Sequence, residues 1–99
     1  MQDEQRTIDT AAQAVVDLGN QLAERDQEAD MGDIADGLLS GAVHYWLYTR
    51  QPCEDPRCPD CAQLRTAEWR MQLLQQLVEE MARSSDYFES PGDMTPGNA

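Results

Sequence analysis

Apolar residues recur at three- and four-residue spacing through most of the chain, and three segments keep that period long enough to predict helices. In the first, Ile8, Ala11 or Ala12, Val15, Leu18 and Leu22 alternate with Asp9, Gln13, Asp17, Asn20, Gln21 and Glu24. The pattern predicts an amphipathic helix over about 8–25, preceded by six frayed residues. Thr7 is a candidate cap, and Gly19 is a weak point inside the helix. The stretch RDQEADMGD at 25–33 is polar and acidic and reads as a turn, with Asp30 placed to cap the next helix. That second helix is predicted over about 31–49 from Met31, Ile34, Ala35, Leu38, Leu39, Ala42, Val43 and Trp46, and Pro52 ends it. A third, predicted over about 61–84 with Asp60 as its cap, carries Leu64, Ala67, Met71, Leu74, Leu77, Val78 and Met81 on one face. Trp69 and Leu73 fall off that face and suggest a second contact surface. No strand pattern competes, so the fold class is all-α: a small three-helix domain over residues 1–84.

The second helix has an unusual side. At 100° per residue, Gly37, Gly41, His44 and Tyr48 fall close together, mostly apart from the apolar stripe. Two helical glycines cost roughly 1 kcal/mol each relative to alanine. The expectation is that another backbone packs closely there, bringing a loop toward His44.

The candidate chemistry is concentrated next to that helix. All three cysteines, Cys53, Cys58 and Cys61, lie in the stretch CEDPRCPDC, and His44 is the only histidine. In the C-x-x-C formed by Cys58 and Cys61, two thiolates can point at one ion while backbone amides stabilise their charge. Cys53 is within loop reach, and His44 completes a Cys₃His set suited to tetrahedral zinc. The expected metal ligands are therefore His44, Cys53, Cys58 and Cys61, on a loop between the second and third helices, with zinc in a structural role. Four other readings compete. A redox C-x-x-C belongs after a strand, and no strand is predicted. An iron–sulfur cluster wants a fourth cysteine or a histidine variant. A catalytic zinc keeps a position open for water and needs a general base, and Glu54, Asp55 and Asp60 are merely nearby acids. The last reading leaves the thiols free of metal.

Charge then narrows the partners. Nineteen acidic residues against seven basic ones give a formal charge of -12, and every basic residue is an arginine. Nucleic-acid binding requires a positive surface that displaces counterions, so direct contact with DNA or RNA is not expected. A protein partner with a basic surface is, approached by electrostatic steering. Mean hydropathy is -0.67, and no run approaches the ~20 apolar residues of a spanning helix, which argues against a membrane protein. The polar start MQDEQRTID has neither the basic nor the apolar region of a secretory signal, so a cytoplasmic setting with reduced thiols is expected, in a bacterial or phage-infected cell. The segment SSDYFESPGDMTPGNA after residue 84 has no helical period and reads as a disordered acidic tail over 85–99.

No nucleophile–base set, phosphate loop or dinucleotide fingerprint is visible, and an enzyme is not expected. In size, acidity and lack of a catalytic set the chain resembles phage-encoded anti-restriction and anti-CRISPR proteins, although it shares no motif with them. The resemblance implies a small inhibitor that occupies the basic groove of a nucleic-acid-handling protein. Asp33, Asp36, Glu54 and Asp55 are the candidate ion-pair formers, with Tyr48, Trp69 and Leu73 as apolar anchors. The competing expectation is a bacterial regulatory or assembly adaptor, using an apolar helix face to bind a partner or to form a homodimer.

Overall fold

The computed structural model describes residues 2–93. It contains three α-helices, α1 (Gln2–Arg25), α2 (Met31–Thr49) and α3 (Ala67–Arg83), with a 3₁₀ turn, Pro59–Leu64, ahead of α3. The all-helical reading holds among the described residues. The chain divides into two compact units, Met1–Thr49 and Arg50–Ala99.

In the N-terminal unit α1 is longer than its apolar period. It begins at Gln2, and Asp3 and Glu4 in its first turn and Arg25 in its last complement the helix dipole. Exposed Gln5 Nε2–Asp9 Oδ1 and Gln13 Nε2–Asp17 Oδ1 hydrogen bonds, each 2.9 Å, join residues one turn apart. Thr7 is therefore not a cap. It sits inside the helix, and its hydroxyl donates to the Asp3 carbonyl at 3.0 Å. The turn to α2 follows its acids: Asp26 Oδ1 accepts from the Glu28 N–H at 3.1 Å, and Asp30 Oδ1 from the Gly32 N–H at 3.3 Å. Asp30 thus caps α2 as expected, and its carbonyl takes the first helical bond, from the Ile34 N–H at 3.1 Å. At the other end the Thr49 hydroxyl donates to the Trp46 carbonyl at 2.8 Å.

The two helices meet tightly at Gly19, where an added Cβ would stand 3.0 Å from Leu38 Cδ1. Beside this contact lies a shallow cleft of about 160 Å³ bordered by Ala23, Met31, Ile34 and Ala35. Within the N-terminal unit nothing stands within 4 Å of a Cβ at Gly37 or Gly41, so α1 is not the backbone that approaches them. The hairpin geometry puts the tight contact on the other helix instead.

The C-terminal unit departs from expectation at the start of α3. Asp60 belongs to the 3₁₀ turn, and the cap is Thr66, extended at φ -120, ψ 155, whose hydroxyl accepts from the Trp69 N–H at 3.0 Å. Pro59 opens the 3₁₀ turn, and the turn ends at Leu64, whose carbonyl is taken by Arg70 Nη1 at 2.7 Å. Leu73, read as lying off the α3 stripe, is half-buried with Leu74 and Leu77, while Met71, Val78 and Met81 are exposed. Past α3, residues 85–93 form turns, held by a 3.1 Å bond from the Phe88 N–H to the Ser85 carbonyl and by the Arg83 guanidinium 5.6 Å from the Phe88 ring centre. The rest of the expected tail, 94–99, lies outside the described residues.

No side chain is fully buried among the described residues. Apolar faces therefore remain open on every helix, including Ile8 and Val15 on α1, Leu39 and Tyr48 on α2, and Trp69 and Met81 on α3. No helix among the described residues is long and apolar enough to cross a membrane.

Candidate metal centre

The loop that carries the thiols is built by short-range backbone geometry. Pro59 forbids helical backbone at the residue before it, and Cys58 sits accordingly at φ -63, ψ 115. Asp55 makes the preceding turn: its carboxylate accepts from the Arg57 N–H at 2.9 Å and its carbonyl from the Cys58 N–H at 3.1 Å. The Cys61 N–H returns to the Cys58 carbonyl at 3.3 Å, which closes the C-x-x-C turn. Together these turns bring the sulfurs of Cys53, Cys58 and Cys61 within 4.8 Å of one another.

Three observations show that this trio suits a metal ion. The sulfurs converge, with no disulfide among them. The Cys53 N–H donates to Cys61 Sγ at 3.4 Å, the kind of bond that stabilises a thiolate ligand. The Cys53 thiol is also lowered to about 7 by backbone hydrogen bonding with Asp55 first, then by Cys61 and Cys58, with Arg65 a lesser cause. For Cys61 the amide bond from Cys53 favours the thiolate, but the side chains of Cys53 and Cys58, which compete for the same protons, outweigh it and leave Cys61 raised. Proton loss from this trio thus begins at Cys53, and an incoming cation must displace protons from the others.

Arg65 is the residue that sequence reasoning missed. Its Nη1 donates to the Cys53 carbonyl at 2.8 Å, and its Nη2 donates to the Asp55 carbonyl and lies 3.8 Å from Cys53 Sγ. One planar guanidinium thereby ties the two ends of the Cys53–Asp55 segment to the start of α3. The contact spans twelve residues and leaves no periodic signal. The visible hint was that every cation in the chain is an arginine, the side chain suited to forked contacts with backbone oxygens.

Each remaining expected site residue has a definite place. His44 is exposed on α2, in the N-terminal unit, whereas the three thiols belong to the C-terminal unit. Asp33, Asp36 and Tyr48 are exposed on the same helix, where the Tyr48 ring lies 6.2 Å from that of Tyr45. Glu54 and Asp55 are exposed in the thiol loop, Asp55 being engaged in its turn, and Trp69 is exposed on α3 while Leu73 is half-buried. Comparison with protein families, with curated proteins and with solved structures finds no match to this chain.

Proposed function

We propose that this chain is a non-enzymatic, zinc-stabilised interaction protein that docks on and blocks a basic surface of a nucleic-acid-handling partner. The supporting observation is uncompensated charge. All 19 carboxylate side chains lie exposed. Among the described residues only Glu79 is paired with a cation, Arg83, at 3.1 Å. Arg65 and Arg70 direct their guanidinium groups to backbone carbonyls and pair directly with none of these acids. A surface of this kind attracts a cationic partner and repels nucleic acid itself.

Rim ion pairs contribute only ~0–1 kcal/mol each, so steering alone does not hold a complex. Exposed Trp69 and Tyr48 are the proposed anchors, with Asp33, Asp36, Glu54 and Asp55 as candidate ion-pair formers. Zinc is the metal that three thiolates of this spacing favour in a structural role. Its work would be to fix the loop from Cys53 to Cys61 ahead of α3. The setting that fits reduced thiols is the cytoplasm of a bacterial or phage-infected cell, with an anti-defence inhibitor as the biological class.

The test is competition. The partner is captured and identified, and its nucleic-acid binding is titrated with this protein across a range of salt. The expected result is displacement of DNA or RNA, weakening steeply as salt rises. A partner without a basic groove, or one that keeps its nucleic acid with this protein bound, overturns the inhibitor reading. The open apolar helix faces favour one other reading, an adaptor whose association with its partner is insensitive to salt.

A further inference from the structure

The apolar face of α1 is wider than the part that α2 covers. Gly19, Leu22 and Ala23 are half-buried, whereas Ile8, Ala11, Val15 and Leu18 on the adjoining strip are exposed, Ile8 by 53% and Val15 by 42%. Ile8, Ala11, Val15, Leu18 and Leu22 follow a strict three-four alternation, the seam of an antiparallel or parallel helix pair. The positions flanking the seam are Gln5, Thr7, Ala12, Ala14, Gly19 and Gln21, all uncharged. The charges between them, Arg6, Asp9 and Asp17, all fall on the outer side of the helix. A chain of formal charge -12 thus carries, from Ile8 to Leu22, a strip without a carboxylate on its seam or flanks.

The ends of the strip choose its occupant. Continued outward, the same alternation reaches Glu4 at one end and Arg25 at the other. Both are exposed, and among the described residues neither is in an ion pair. We infer that a second copy of this chain packs on α1 in antiparallel orientation, with Val15 on the two-fold axis. In that register Ile8 faces Leu22 of the second copy, Ala11 lies within one residue of Leu18, and Glu4 lies within one residue of Arg25 at both ends. The small Ala11 lies beside the large Leu18, and each end brings the Glu4 carboxylate toward the Arg25 guanidinium. A parallel pair would oppose Glu4 to Glu4 and Arg25 to Arg25, which disfavours it. The inference uses only α1 and is independent of the inhibitor reading.

Sedimentation of the full chain with zinc, from micromolar to millimolar concentration, is the experiment. A reversible dimer is expected. Val15→Glu sets two carboxylates against each other on the axis and is expected to leave a monomer of unchanged helix content, since Val15 is open to solvent within its own chain. Glu4→Arg and Arg25→Glu each turn both ends repulsive and are expected to raise the dimer Kd roughly tenfold. The double variant Glu4→Arg/Arg25→Glu restores opposite charges and should recover the native Kd. A monomer throughout the range overturns the proposal. So does a dimer indifferent to Val15→Glu, or a double variant as weak as the two single changes combined.

Discussion

Gly19 and Leu38 fix how closely the two N-terminal helices approach: a first side-chain carbon on Gly19 would lie 3.0 Å from Leu38 Cδ1. The atom in the way is the end of a flexible side chain beside an open cleft, so it can give by a few tenths of an ångström. Replacing a helical glycine with alanine gains about 1 kcal/mol. Gly19→Ala is therefore expected to raise the stability of the chain by a few tenths to about 1 kcal/mol. Gly19→Leu, whose extra atoms the cleft does not take without separating the helices, is expected to lower it. Urea denaturation followed by helix signal measures both, and a destabilised alanine variant would show that Leu38 cannot yield.

Metal content is the second expectation. Purified protein should carry about one zinc per chain, and Cys58→Ser or Cys61→Ser should abolish it. His44→Ala is expected to weaken binding without abolishing it. Zinc affinity unchanged by that substitution would assign the fourth position to water or an outside ligand. Protein that folds to the same thermal midpoint with and without chelator would remove the structural role altogether.

Arg65 should matter to the metal without touching it. Arg65→Ala releases the Cys53 and Asp55 carbonyls, loosens the loop that gathers the sulfurs, and is expected to cost roughly tenfold or more in zinc affinity. Arg65→Lys keeps the charge and loses the fork, so it should recover only part. A zinc competition titration reads both, and equal affinity in the alanine variant would reduce Arg65 to a bystander.

The acidity of the thiols gives a pH dependence with a definite sign. Cys53 is lowered to about 7, so in the metal-free folded loop the thiolate is favoured above that pH and lost as pH falls through it. Cys61 is raised, so it stays protonated further into the alkaline range. Near neutrality an alkylating reagent should therefore modify Cys53 before Cys61, and zinc should protect both. Zinc affinity should fall on acidification, and more steeply below about pH 7, where the Cys53 proton must also be displaced. Peptide mass spectrometry of the metal-free protein over a pH series checks the order, and uniform labelling would contradict it.

The parts of this fold that were legible in the sequence are those with local punctuation. Asp30 and Pro52 bracket α2, and the helix runs from Met31 to Thr49 as its apolar period predicts. The thiol cluster was legible because nine consecutive residues hold all its members. The start of α3 was not. Asp60 and Thr66 are both acceptable caps, and the choice fell to Thr66 because Pro59 and the C-x-x-C turn wind residues 59–64 into a tighter helix. The first turn of α1 was missed because it carries no apolar residue. Its signal was electrostatic, in Asp3 and Glu4. Glycine showed where close approach was sterically permitted, but the crossing of two helices decided that it occurs at Gly19 rather than at Gly37 or Gly41.

The division into two compact units also distributes the natural fluorophores. Trp46 lies in the N-terminal unit and Trp69 in the C-terminal one, and the chain has no other tryptophan. Each unit thus carries its own optical probe, and a Trp46→Phe or Trp69→Phe variant isolates one emission channel. A chain of this kind need not melt in one cooperative step. With zinc held at the thiol loop as proposed, chelation is expected to be read in the Trp69 channel, which reports the unit carrying that loop. The lag before Trp46 responds then measures how strongly one half of the polypeptide depends on the other.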